Sequence, residues 1–126
     1  MARKLNSEQL RRVREQMEER NLLIAEQRRD DLKAVLNDEQ GRRYLWALLS
    51  DCGVFVTTYR GSSEGIFLEG RRAVGCALLA EIVEADSRLY LLMQAEGIQA
   101  TEEENRVRAA LEKEAAAQKE GASDGD

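Results

Sequence analysis

The sequence predicts an all-α fold: a small helical bundle with a long N-terminal helix and a partly disordered helical C-terminal tail. Three observations lead there. Apolar residues recur at helical spacings of three, four and seven along most of the 126 residues. No proline interrupts them. Only Val54 to Tyr59 has the β-branched and aromatic chemistry of a strand, and one strand without a partner makes no sheet. The composition agrees: 43% hydrophobic, 34% charged and only 5% aromatic, as suits aliphatic cores and salt-rich helix faces. A chain of this length fits one domain that can bury a working core without disulfides or metal.

The first element begins at Asn6 or Ser7, either of which can accept from free helix amides. Leu10, Val13, Met17 and Ile24 then form a narrow apolar stripe, a seam for one partner helix. Arg20 stands where a strict heptad would place an apolar residue, so short helical packing is expected in place of a long coiled coil. Residues 1–27 are read as an N-terminal helical arm. Leu32, Val35 and Leu36 continue the spacing into a core domain at 28–96, and Asn37 and Asp38 supply a stop and the next N-cap.

The densest apolar block, Tyr44, Leu45, Trp46, Leu48 and Leu49, predicts a central helix between Glu39 and Cys52. Gly53 follows where a left-handed C-terminal cap is needed. Val54 to Tyr59 is expected to be an extended loop packed across the helices, and Gly61 to Gly65 a turn with Ser62 or Ser63 as a cap. That turn lacks the lysine and the spacing of a phosphate-binding loop. A second core helix is predicted from Ile66 to Ala85, with Phe67, Val74, Leu78 and Ile82 facing inward and Gly70, Ala73, Gly75 and Ala77 interspersed. Gly75 costs about 1 kcal/mol relative to alanine, which a close backbone contact would explain.

Asp86 or Ser87 should cap a short helix carrying Leu89, Tyr90, Leu92 and Met93 and ending near Gly97. Thr101 to Glu104 matches a capping box for a further piece of helix with Val107 and Leu111. Residues 97–126 are read as this helix and an acidic tail, with Ala115 to Asp126 expected to fray unless a partner binds.

The chain has no histidine, and its two cysteines, Cys52 and Cys76, stand far apart. The commonest general base and the commonest metal ligand are therefore missing. The expectation is no enzyme, no cofactor and no metal. The cysteines read as small buried hydrophobes in apolar surroundings. Glu69, Glu81 and Glu84 are the remote candidates for a general acid or base, but carboxylates beside arginines are held ionised. No segment approaches the roughly 20 uncharged apolar residues of a membrane span, and the polar start has no apolar signal core. A soluble protein made in the cytoplasm is expected.

The net charge of -5 is unevenly spread: +3 over residues 1–29, then -4 over 30–97 and -4 over 98–126. The basic lead is interleaved with Glu15, Glu18, Glu19 and Glu26. It reads either as a solvated helix face or as a weak footprint for DNA. Two arginine pairs, Arg42 with Arg43 and Arg71 with Arg72, sit near the starts of core helices, where the dipole disfavours cations. Glu69, Glu81, Glu84 and Asp86 are candidate acids for guanidinium forks inside the chain. Alternatively one pair faces outward, onto a neighbouring subunit or packaged DNA.

Three blocks, Gly41-Arg42-Arg43-Tyr44-Leu45-Trp46, Cys52-Gly53-Val54-Phe55 and Phe67-Leu68-Glu69-Gly70-Arg71-Arg72-Ala73-Val74-Gly75, carry a resemblance over about residues 28–96. In this order they resemble a small helical domain of the Bordetella short-tailed-phage type, encoded among virion and morphogenesis genes. Leu68 departs from the pattern, standing where a polar residue is expected. The resemblance implies a virion or assembly protein with no catalytic residues to carry over. It also implies partners among virion proteins (portal, head-tail or internal), self-association, and a location in host cytoplasm during assembly and then in the particle. A scaffold absent from the mature virion and a small DNA-binding regulator are the alternatives. The candidate partner-binding residues are Leu10, Val13, Met17, Ile24, Arg42, Arg43, Arg71 and Arg72.

Overall fold

The computed structural model describes residues 3–56 and 63–123. Among these, four helices and no strand occur: α1 (Ser7–Asn37), α2 (Glu39–Asp51), α3 (Ser63–Ala85) and α4 (Ser87–Ser123). Each helix touches the other three around a single core. The expected loop from Thr57 to Tyr59 and the turn at Gly61 and Ser62 lie outside the described residues.

Local chemistry sets most boundaries. The Asn6 side chain accepts from the Gln9 amide at 2.8 Å while the Gln9 side chain accepts from the Asn6 amide at 3.0 Å, a reciprocal cap on α1. Asp38 ends α1, its amide donating to Val35 O at 3.2 Å, and starts α2, its carboxylate accepting from the Gln40 amide at 3.4 Å. Gly53 closes α2 at a φ of 74°, a conformation in which any side chain would be strained. Asp86 caps α4, its carboxylate accepting from the amides of Arg88 and Leu89 at 3.0 and 3.1 Å.

The buried apolar core is Leu36, Leu45, Leu49, Val54, Ile82 and Met93, with Leu32, Trp46, Leu79, Leu89 and Tyr90 packed against it. Cys52 and Cys76 are half-buried against the same core and unbonded to each other. Every core side chain thus lies between residues 32 and 93.

Two sequence expectations are corrected here. In α3, Phe67 and Val74 do not face inward; they are 68% and 69% exposed. The inward line runs through Gly65, Gly75 and Ile82, with Leu68, Arg72 and Leu79 half-buried along it. Gly75 sets that register: a Cβ there would lie 2.6 Å from Cys52 Cβ and Val54 Cγ2. The α2–α3 connection presses on the bare backbone, and the adjacent Val74 is turned about 100° away from it. The contact is close, as the sequence suggested, but it is made by side chains.

The second correction concerns α4, which is one helix of 37 residues with no break at Gly97 and no new start at Thr101. The Thr101 hydroxyl donates back to Gly97 O at 3.0 Å, a bond within a continuing helix. The expected fraying from Ala115 gives way to helix as far as Ser123, in a stretch rich in alanine, lysine and glutamate with high helix propensity.

Candidate functional site

The described residues contain no group of three or more cysteine, aspartate or glutamate side chains placed to hold a metal ion. None of their helices is long and apolar enough to cross a membrane.

Arg42, in the first turn of α2, is buried. Its Nε lies 3.2 and 3.1 Å from the two Glu96 carboxylate oxygens, and Nη2 donates to Oε1 at 2.9 Å. Nη1 donates to Leu36 O at 2.8 Å, one of the open carbonyls at the end of α1. One guanidinium therefore ties the end of α1, the start of α2 and the middle of α4 together. The hydrogen bonding to Glu96 holds Arg42 charged more firmly than usual, against the effect of burial and helped by the charges of Glu96, Glu39 and Asp38. This answers the unfavourable dipole at the α2 start.

A second connection joins α1 to α3. Arg28 forks onto Glu81, with Nη2 to Oε2 at 3.0 Å, and Arg29 reaches Glu84 at 3.5 Å. The hydrogen bond from Arg28 holds the Glu81 carboxyl below the ordinary glutamate range, with burial opposing and the Arg28 charge assisting. These side chains and Ala25, Leu32 and Ala85 line a shallow cleft of about 220 Å³.

The candidate arginines therefore divide. Arg42 is engaged inside the fold, and Arg72 donates from Nε to Val56 O at 3.2 Å, tying α3 to the segment after α2. Arg43 and Arg71 are exposed. Arg43 edges a cleft of about 160 Å³ with Trp46, Met93, Glu96 and Gly97. Here the indole presses so closely that a Cβ at Gly97 would lie 2.3 Å from it, and its other side stacks on Phe55 at a centroid distance of 4.8 Å.

The stripe residues Leu10, Val13, Met17 and Ile24 are all exposed, Met17 at 59% and Ile24 at 56%. Nothing between residues 3 and 31 is buried, nor anything between 98 and 122. Both ends therefore leave the core as exposed helical arms: residues 7–24 of α1, before the cleft at Ala25, span about 27 Å and residues 98–123 of α4 about 39 Å at 1.5 Å per residue.

Sequence reasoning did not find Glu96 as the partner of Arg42, because the two are 54 positions apart and share no local pattern. It named Glu81 and Glu84 as acids but not Arg28 and Arg29 as their partners. The signal was available, since Arg28, Arg29, Leu32 and Leu36 fall on one side of α1, the side that meets the core.

No curated protein and no solved structure matches the chain. The family model of Bbp19-like phage proteins matches residues 32–95, half of the chain and a span that encloses every core side chain and Arg42, ending one residue before its partner Glu96. By that match the chain belongs to the Bbp19-like phage protein family.

Proposed function

We propose that this phage protein is a structural or assembly component, without catalytic activity, that works by docking other virion proteins on its helical arms. An internal-virion or head-tail position is the leading placement. The observation that carries the reading is the unpartnered α1 stripe: four apolar side chains on one line, all exposed, on a helix fixed to the core by Arg28, Arg29 and Arg42. Soluble monomers rarely leave such a line uncovered, and helix-in-groove docking is its common use.

Two further observations support it against the alternatives. Arg11 and Arg12 sit on Glu15 and Glu8, which weakens α1 as a DNA footprint. Glu81 is held ionised by Arg28, which suits a tether and not a general acid. The test is mass spectrometry of purified virions together with capture of virion proteins by the purified chain. Presence in mature particles and capture that Met17→Asp abolishes are expected. Absence from particles with capture retained points to a scaffold that leaves on maturation. Absence from particles, no capture, and DNA binding that falls steeply with salt would overturn the reading.

A further inference from the structure

We propose that a second copy of this chain covers the α1 stripe, laying the outward part of its own α4 along it. This rests on reading α1 as a protein-docking arm and names its partner.

The choice of partner follows from the charge placed on the helix faces. At about 3.6 residues per turn, Arg14 and Arg20 fall on the two flanks of the Leu10, Val13, Met17 and Ile24 line. Glu8, Glu15, Glu19 and Glu26 fall on the opposite side, and Glu18 about a quarter turn away. The ion pairs follow the same division. Arg11 and Arg12, away from the stripe, are each matched by a glutamate of α1. Arg14 and Arg20, beside it, form no ion pair among the described residues. The stripe is therefore an apolar line with basic, uncompensated edges.

The far part of α4 presents the converse. Val107 and Leu111 are 50% and 60% exposed and share a face with Ala100. On the same wheel this face is flanked by Glu103, Glu104 and Glu114, while Arg106, Arg108 and Lys113 point to the sides. Glu103 and Glu104 reach round to Arg106 and Arg108 at 2.8 and 3.0 Å. These are solvent-exposed pairs at helical spacing, weak enough to exchange partners. An apolar line with acidic edges thus faces an apolar line with basic edges, the complementarity that sets partner choice between helices.

The pairing is between copies. Within one chain α1 and α4 meet only near the core, their outer parts leave every residue exposed, and each is one unbroken helix. Bringing the two arms together in the same molecule would require breaking one of them. Pairing α1 with α1 of another copy would instead set Arg14 and Arg20 against their own kind. An α1-to-α4 contact either closes reciprocally as a two-fold dimer or repeats head-to-tail as a ring or filament.

The test uses the full chain. Light scattering over a concentration series is expected to give a mass above one chain that falls toward one chain as salt rises. A photo-reactive amino acid at position 17, in an equal mixture of isotope-labelled and unlabelled chains, is expected to cross-link to residues 100–118 of the other isotope. Arg14→Glu with Arg20→Glu should weaken association roughly tenfold. Adding Glu103→Lys and Glu114→Lys to the same chain should restore it, which a general loss of folding would not allow. A single-chain mass at the highest concentration overturns the proposal, as do cross-links confined to one chain or running from 17 to 17. A monomer that still captures virion proteins removes this partner and leaves the docking function standing. An oligomer that captures none does the reverse.

Discussion

The region that holds the buried core and the two arms are both helical, and they are helical for different reasons. Between residues 32 and 93 the helices are held by burial: Leu36, Leu49 and Ile82 are completely shielded, and Arg42 ties three helices at one point. In the arms nothing is shielded. What stabilises helix there is local: the Asn6–Gln9 cap, ion pairs such as Arg12–Glu8 and Arg108–Glu104, and favourable propensity. Such terms are worth a few tenths of a kcal/mol each, so the arms belong to the low-stability end of the molecule. The family match follows the same division, covering 32–95 and leaving the arms outside.

The largest effect separates the two regions directly. Leu49→Ala removes a fully buried side chain and is expected to lower stability by about 2–5 kcal/mol, whereas the same change at the exposed Leu111 should stay within about 0.5 kcal/mol. Denaturant midpoints of the two variants, taken at a concentration where the chains are single, check this. Comparable losses at both sites would mean that α4 is covered in the isolated protein and that the comparison is mistaken.

Gly97→Val comes next. A side chain there meets the Trp46 ring, and either the indole leaves its stack on Phe55 or α4 shifts from α2. The expected loss is about 1–3 kcal/mol, with a change in tryptophan fluorescence. If Gly97 were a helix stop, as its sequence context implies, the same substitution would lengthen the helix and leave the indole signal unchanged.

That glycine shows where the sequence was legible and where it was not. Boundaries written in a few adjacent residues could be read: Asn6, Asp38, Gly53 and Asp86 all act as expected. Gly97 could not, because a glycine that ends a helix and one that admits an indole are identical in sequence. α3 defeated the pattern for a related reason. Its apolar residues lie all round the helix, so spacing alone assigned Phe67 and Val74 to the core, when the contact of Cys52 and Val54 on Gly75 turns them outward. The α1 stripe was legible because charges surround it on a single line. Its edges were legible too once the helix was placed, but their meaning depended on knowing which arginines lack a partner. Arg42 and Glu96 were invisible as a pair, since nothing local links positions 54 residues apart.

A smaller effect sharpens the boundary between core and arm at Arg28. Because Glu81 has its pKa depressed in the folded state, the stability it contributes is fully present above the ordinary glutamate value, about 4.3. That stability is lost as pH falls through the lower folded value. Glu81→Gln should therefore melt below the wild-type chain at neutral pH, and the gap should close at pH values below the folded pKa. Melting curves at neutral and strongly acidic pH check the sign. An unchanged gap would show that Glu81 acts by packing and that α1 is held to α3 without this charge.

The smallest effect on folding is expected where the effect on function is greatest. Leu10→Ser with Met17→Ser alters two exposed side chains of α1 and should move the unfolding midpoint by no more than the equivalent of about 0.5 kcal/mol per site. Serine is slightly poorer than leucine or methionine as a helix former, so a small loss of helical signal is expected from the arm alone. The core does not sense the change, since none of its side chains comes from residues 3–31. Association does, because the two substitutions remove two of the four side chains of the apolar line while leaving Arg14 and Arg20 in place. Long-range attraction then persists without a surface to bury, and charge alone at an exposed contact supports weak, salt-sensitive binding. Light scattering at high concentration and a thermal melt at a concentration where both chains are single separate the two quantities. A variant that melts like the wild-type chain and no longer associates assigns the stripe to docking, and one that loses both assigns α1 to the fold.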